Sequence, residues 1–389
     1  MSEVKVNSIK GVGASVPAIS INNTNGTCTA NLTNKPNRNL IINGAMQVAQ
    51  RGTSSTSGGY QTVDRFGVYH DGTDEAPTQA QVDVASGTTP YTLGFRKALK
   101  VTNGNQTSGA GADDYIWIQQ NLEAQDIANS GWNYLSTSSY VTLSFWVKSS
   151  VAQDFKCYLR TRDGTERQYP FATGSLTADT WTKVTKTISG NSGLTFDNDV
   201  NQGLQINIGC FFGTNLTASG VTENAWGSWA STARVPDMTS TWYTTNDATF
   251  EITGVQLEVG STATDFEHRS FGQELALCQR YYQVLAPAVA DAVIAHGGYI
   301  VNEFIAVVHF PNEMRIAPTL VVSDFSNAFR VYGDDGQVNP STLTTDAAVN
   351  TTRAFYLRAA TGGDVGDAYL RVLSANSGVY ATIAVQAEL

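Results

Sequence analysis

Charge is what this sequence has least of. Lys, Arg, Asp and Glu make up 15% of its 389 residues, 24 basic against 34 acidic, for a formal net charge of −10. No block of Lys or Arg offsets that balance locally, so no nucleic-acid partner is expected, because phosphate contacts require concentrated positive charge. The four cysteines (Cys28, Cys157, Cys210, Cys278) lie far apart and form no CxxC pair. They read first as buried thiols acting as small hydrophobes, with a disulfide framework or zinc site as the alternative. The histidines His70, His268, His296 and His309 stand alone, and GxSxG, HExxH, phosphate-loop and dinucleotide motifs are all missing. The expectation is therefore a protein that is not an enzyme. No apolar run is long enough for a transmembrane helix, so no membrane insertion is expected. MSEVKVNSIK lacks the apolar stretch of a signal peptide, which points to synthesis in a cytoplasm.

What is present is alternation. Hydrophobic residues reach 41%, with 35 glycines among abundant Ser, Thr and Asn, a composition of short strands and turns. In YIWIQQNLE, Ile116, Ile118, Gln120 and Leu122 fall on one face and Tyr115, Trp117 and Gln119 on the other. Leu143, Phe145 and Val147 alternate in the same way, as do Phe155, Cys157 and Leu159, and then Leu204, Ile206, Ile208, Cys210 and Phe212. Such runs predict a two-sheet antiparallel sandwich. No repeat of 20 to 50 residues is visible, which counts against a β-helix or propeller.

The period changes across 250–283. Phe250, Ile252, Val255, Leu257 and Val259 alternate with a slip at Gly254 that predicts a bulge. Phe271, Leu275, Cys278 and Tyr282 then recur at helical spacing, with Leu277 and Tyr281 widening the stripe. Ser270 and Gln273 form a capping-box pattern ahead of this helix.

The stretch ITGVQLEVGSTATDFEHRSFGQELALCQRYYQ resembles a segment of bacteriophage tail-fibre and minor virion structural proteins. NLIINGAMQVAQRGTS with VDRF, and VTLSFWVKSS followed by ADTWTKVTKTISG, resemble earlier parts of the same module in the same order. The resemblance covers roughly 39–283 and implies a virion tail component with a carbohydrate-binding-like jelly roll. The expected organisation is all-β: a virion-attachment leader (1–38), the jelly roll (39–270), a connecting helix (271–283) and a second, smaller β-sandwich (284–389). PNEMRIAPT resembles a connector in the C-terminal parts of the same proteins. The leader has only short apolar pairs between Gly, Asn and Thr, too few to offset the entropy of ordering it alone. It reads as a flexible tail or as strands completed by neighbouring copies. The resemblance implies attachment to other tail proteins through 1–38 and a homotrimer.

Two aromatic groups are candidates for contact with host surface glycans, since sugar C–H faces pack on aromatic rings. One is Trp226, Trp229, Trp242 and Tyr243, set among small polar residues; the other is the outward set Tyr115, Trp117 and Gln119. Folding back over the core, or packing against a neighbour, is the competing reading for both. Trp132 and Trp181 read as structural, and Asp64–Arg65 of VDRF as an ion pair or turn contact. Asp113–Asp114, Asp163 with Glu166, Asp197 with Asp199, and Asp334–Asp335 sit in Gly/Asn/Thr loops. Turn formation is their first reading, with a structural calcium held by Asp113, Asp114, Asp197 or Asp199 as the candidate site. The expected function is adhesion to host glycans. A tail adaptor or nozzle part without sugar binding, and a polysaccharide depolymerase, are the alternatives.

Overall fold

The structure, a computed structural model, describes residues 36–286, 293–322, 329–334, 336–346, 350–362, 368–372 and 383–389, with 6–10, 12, 19–21, 24 and 28–30 of the opening segment. It is all-β, with short helices only, and among the described residues no helix is long and apolar enough to cross a membrane.

Two six-stranded sheets form the large sandwich. The first runs Gly227–Ser228, Arg167–Ser175, Asp154–Thr161, Gln202–Phe212, Tyr115–Glu123, Gly67–Asp71; the second runs Thr182–Ser189, Tyr140–Ser149, Thr249–Val259, Lys97–Thr102, Thr78–Asp83, Ser54–Ser55. Each alternating run places its apolar set between the sheets, as period-two side chains require. Ile116, Ile118, Phe155, Leu159 and Ile206 face Leu143, Phe145, Val147 and Ile252 in one core, and Phe155 meets Phe250 edge-on at 4.8 Å. Cys157, Cys210 and Cys278 are free and buried; the side chain of Cys28 lies outside the described residues.

Two bulges redirect side chains. The register slips at Gly254 (φ 63°), as its sequence predicts, and an added Cβ there would lie 2.6 Å from the Phe95 ring. A second slip, between Gly209 and Phe211, has no sequence counterpart. It sends Phe211 into the core and turns Phe212 to the outer face, so Phe212 does not continue the inward series of Leu204, Ile206 and Ile208.

The helix spans Phe271–Gln279 and carries the complete capping box of Ser270 and Gln273. Its apolar stripe needs correcting. Phe271 is 56% exposed and Leu277 37%, and Tyr281 and Tyr282 lie beyond the helix; Glu274 and Cys278 are its buried residues. Glu274 is drawn inward because its carboxylate accepts from Asn43 N. Strand Tyr282–Ala286 follows and pairs with Ile383–Gln386, which also pairs with Thr319–Val322. A seven-stranded sheet completes this second body, and Phe304, Val331, Phe355, Leu357, Leu370 and Ile383 pack into its core. Residues 287–292 lie outside the described residues, as does Asp335. In the opening segment, Ser8–Ile9, Ile19–Ile21 and Cys28–Ala30 pair with one another into a three-stranded sheet.

The motifs quoted above meet at the junction of the two bodies. Asn39 bridges to Val255 O and Leu257 N, while the side chain of Asn43 donates to Val48 O and Asp64 O. Arg65 of VDRF is 1% exposed and pairs with Glu388 rather than Asp64. It also donates to Asn121 O at 2.6 Å and lies 3.4 Å from the Tyr281 ring centroid. Arg280 forks Glu123 at 2.7 and 2.8 Å, and Tyr281 Oη donates to the same carboxylate at 2.6 Å. Arg315, from PNEMRIAPT, donates to Ala387 O, Val200 O and Glu388 O. A buried charge is costly unless paired or hydrogen-bonded; Arg65 and Arg280 have carboxylate partners and Arg315 has three carbonyls.

Candidate glycan-binding face

Side chains that point away from the core of the first sheet build one continuous aromatic row. Antiparallel register sets Tyr69 opposite Trp117, and Trp117 opposite Gly209. The absence of a side chain at Gly209 leaves room for rings, since a Cβ there would lie 2.1 Å from Phe212. Tyr69 stacks on Trp117 at 6.1 Å and Tyr115 on Trp117 at 4.2 Å; Trp117 meets Phe212 at 5.7 Å, Phe212 meets Tyr158 at 5.9 Å, and Tyr158 meets Trp229 at 5.7 Å. Tyr158 and Phe212 form the buried floor, while Tyr69, Tyr115, Trp117 and Trp229 are half-buried and keep ring surface in solvent.

Polar groups interleave with the rings. Gln119 accepts weakly from Trp117 Nε1 (3.4 Å) and donates to Asn121 Oδ1 at 3.0 Å. Asn207 lies between Gln119 and Tyr158 in the register and is 1% exposed, yet neither its amide nitrogen nor its amide oxygen has a partner. Leaving such a group unpaired costs about 1–3 kcal/mol. Both amide atoms are shielded from solvent. Arg160 caps the Trp229 ring at 3.8 Å and pairs with Glu166, which Arg162 also holds at 2.8 Å.

The sequence candidates divide. Tyr115, Trp117, Gln119 and Trp229 come together on this face. Trp226 sits at the sandwich edge, donating to Ser189 O at 2.8 Å and packing edge-on to Tyr169. Trp242 and Tyr243 are corrections: both are fully buried core residues, not a surface platform. Trp242 Nε1 donates to Thr249 O at 3.0 Å, and Tyr243 stacks on Phe211 at 4.3 Å. Burial and the neighbouring Asp114 push the Tyr243 phenol up. The short helix Thr241–Thr244 turns both rings inward. Among the residues read as structural, Trp132 is buried and Trp181 is half-buried.

The candidate calcium residues serve turns. Asp113 accepts from Asn215 Nδ2, and Asp114 from Gly111 N and Tyr243 Oη. Asp199 accepts from Asn201, and Asp197 N donates to Asp163. Among the described residues, no three His, Cys, Asp or Glu side chains gather as metal ligands.

Sequence reading missed Tyr69, Tyr158, Asn207, Arg160 and Arg234 as members of this face. Strand alternation marks Tyr69, Tyr158, Asn207 and Arg160 as outward, but no local signal says that the strands are neighbours, and Arg234 lies in a loop. A separate cavity of 340 Å³ lies on the second sheet, lined in part by Trp146, Lys183, Phe266 and His268.

No protein-family model matches the chain, and no curated protein does. The structure is similar to the enzymatically active domain of tailspike protein 4 of bacteriophage CBA120 (11% identity, TM-score 0.31), with 58% of this chain and 22% of that one covered. It is also similar to a family 11 carbohydrate-binding module of a Clostridium thermocellum cellulosomal cellulase (12%, TM-score 0.24, 56% and 98% covered). A third likeness is to the tripod from the baseplate of bacteriophage Tuc2009 (14%, TM-score 0.25, 76% and 90% covered). Likeness at this level carries no weight for function, and what the face can bind follows from its side chains.

Proposed function

We propose that this is a tail-fibre-like virion component whose large sandwich binds host surface glycans through the aromatic face of its first sheet, without cleaving them. The observation that carries the reading is the row from Tyr69 to Trp229 with the unpartnered Asn207 amide set among its rings. Rings supply stacking area for sugar C–H faces, and the half-buried Gln119 amide and the guanidiniums beside them suit hydroxyls. Binding rather than hydrolysis is favoured by the carboxylates. Glycoside hydrolysis needs two of them about 5–9.5 Å apart. Glu166 is held by Arg160 and Arg162, Asp154 and Glu223 are both held by Lys156, and Asp71 lies beyond three strand spacings, about 14 Å away. A homotrimer attached through 1–38 would present several weak sites together, and linked sites raise avidity by orders of magnitude.

The test is binding of the full chain to bacterial cells and to a glycan array, with mass by light scattering on the same sample. Saturable binding by a trimer that Trp117→Ala weakens roughly thirtyfold is the expected result. A folded trimer that binds nothing moves the protein to a purely structural tail part. Release of reducing ends from a bound polysaccharide identifies a depolymerase.

A further inference from the structure

Resting on that reading of the face, we infer that its ligand is an acidic glycan, one whose sugars carry carboxylates, and that Arg234 receives a carboxylate. The local charge runs against the whole chain. Around Tyr158 and Trp229 stand three guanidiniums, Arg160, Arg162 and Arg234, and the carboxylate among them is Glu166. Its Oε2 is taken by Arg160 and its Oε1 by Arg162. Arg234 therefore has no carboxylate partner among the described residues, in a protein of net charge −10. The other acids of this face are Asp154 and Glu223, both held by Lys156, and Asp71, at the far edge beside Tyr115 with its Oδ1 accepting from Gly72 N.

Arg234 is also placed as a receptor would be. Its guanidinium lies over both tryptophans, 5.2 Å from the Trp117 ring centroid and 5.6 Å from that of Trp229. Nε is committed to Ser231 O at 3.0 Å. That leaves the terminal nitrogens for the Tyr158 hydroxyl and for a ligand, and a planar fork suits a carboxylate. The backbone that carries it is fixed: Arg234 N donates to Leu216 O at 2.9 Å, Gln168 Nε2 donates to Ala233 O at 2.8 Å, and Val235 is fully buried. The field agrees with the geometry. Burial raises the Tyr158 phenol, while Arg234, Arg160 and Arg162 all pull it down. A sugar ring stacked on Trp117 or Trp229 thus lies within reach of an unneutralised cation that a neutral glycan would leave without a counterion.

The experiment uses the full chain, an array carrying uronate, sialate, sulfated and neutral glycans, and then fluorescence titration of Trp117 and Trp229. The titrants are oligogalacturonate and its carboxyl-reduced, neutral counterpart, at low and high salt. The expected result is preference for carboxylated glycans by roughly tenfold or more, as charge-assisted hydrogen bonds give, weakening with salt. Arg234→Met should erase that preference, and Arg234→Lys should restore part of it; near-UV circular dichroism verifies that both fold. Equal affinity for the acidic and reduced chains, a preference for sulfated glycans, or an unchanged preference in Arg234→Met overturns the inference while leaving glycan binding in place. Failure of the folded protein to bind any glycan overturns the reading on which it rests.

Discussion

The junction and the aromatic face are built from the same kinds of residue and differ in whether those residues are finished. At the junction Arg65 is held by Glu388 and Asn121 O, Arg280 by Glu123, and Arg315 by three carbonyls. Its aromatic rings, Tyr281 and Tyr282, are covered by the guanidiniums of Arg65 and Arg51. On the face, Asn207 and Arg234 have unmet groups, and the rings retain solvent-facing surface. The two regions even touch, since Gln119 donates to Asn121, and Asn121 donates to Tyr60 Oη and Leu389 O. Completed polar groups hold a structure together, and incomplete ones are where a ligand can be gained. By that criterion the motifs that resemble phage proteins are structural, and the proposed binding residues lie outside them.

The largest effect that separates the regions is on stability. Arg65→Ala should cost about 3–5 kcal/mol, because it leaves Glu388 charged without its main partner. Trp242→Ala should cost a similar amount, about 3–5 kcal/mol, by opening a core cavity. Urea unfolding measures both. If Trp229→Ala destabilises as much as Trp242→Ala, then Trp229 is core and the comparison breaks.

Binding comes next. Trp117→Ala should weaken glycan affinity by about 2 kcal/mol, roughly thirtyfold, as loss of a central aromatic anchor does. Titration calorimetry reads it, and Arg65→Lys, which keeps the junction charge, should leave affinity unaltered.

The junction should also carry a pH signature that the face does not. Burial pushes Asp64 up to about 6 from 3.8, against the pull of Gln50 and Arg51. Burial, with Glu123 nearby, likewise takes Asp126 to about 6. An acid whose folded pKa exceeds its unfolded value favours folding fully below the unfolded pKa. That contribution is lost as pH rises through the folded one. Stability should therefore fall between about pH 4 and pH 6 by about 2 kcal/mol from Asp64. Asp64→Asn should flatten that slope in melts across the range, and an unchanged slope would refute the assignment.

The smallest effect sharpens the contrast most. Asn207→Leu removes two unmet polar atoms and should be neutral or stabilising by about 1 kcal/mol, while reducing glycan affinity. A destabilised Asn207→Leu would mean that the amide is already satisfied in the folded protein.

Read on its own, the sequence determined what depends on near neighbours. Alternation in Tyr115–Glu123 separates Ile116 and Ile118 from Tyr115 and Trp117, because successive strand side chains point to opposite faces. Ser270 and Gln273 cap their helix through bonds three residues apart, and the slip at Gly254 marks its own bulge. Tertiary structure alone decided which strands lie side by side, and so which outward residues share a face. It placed Tyr158 and Asn207 beside Gln119, and turned Phe212 outward through a bulge with no local mark. It sent Trp242 and Tyr243 inward from a run of small polar residues. It also joined Arg65 to Glu388 across 323 positions. Side-chain periodicity is a property of the backbone within a few residues, whereas pairing and register are settled by burial across the whole sandwich.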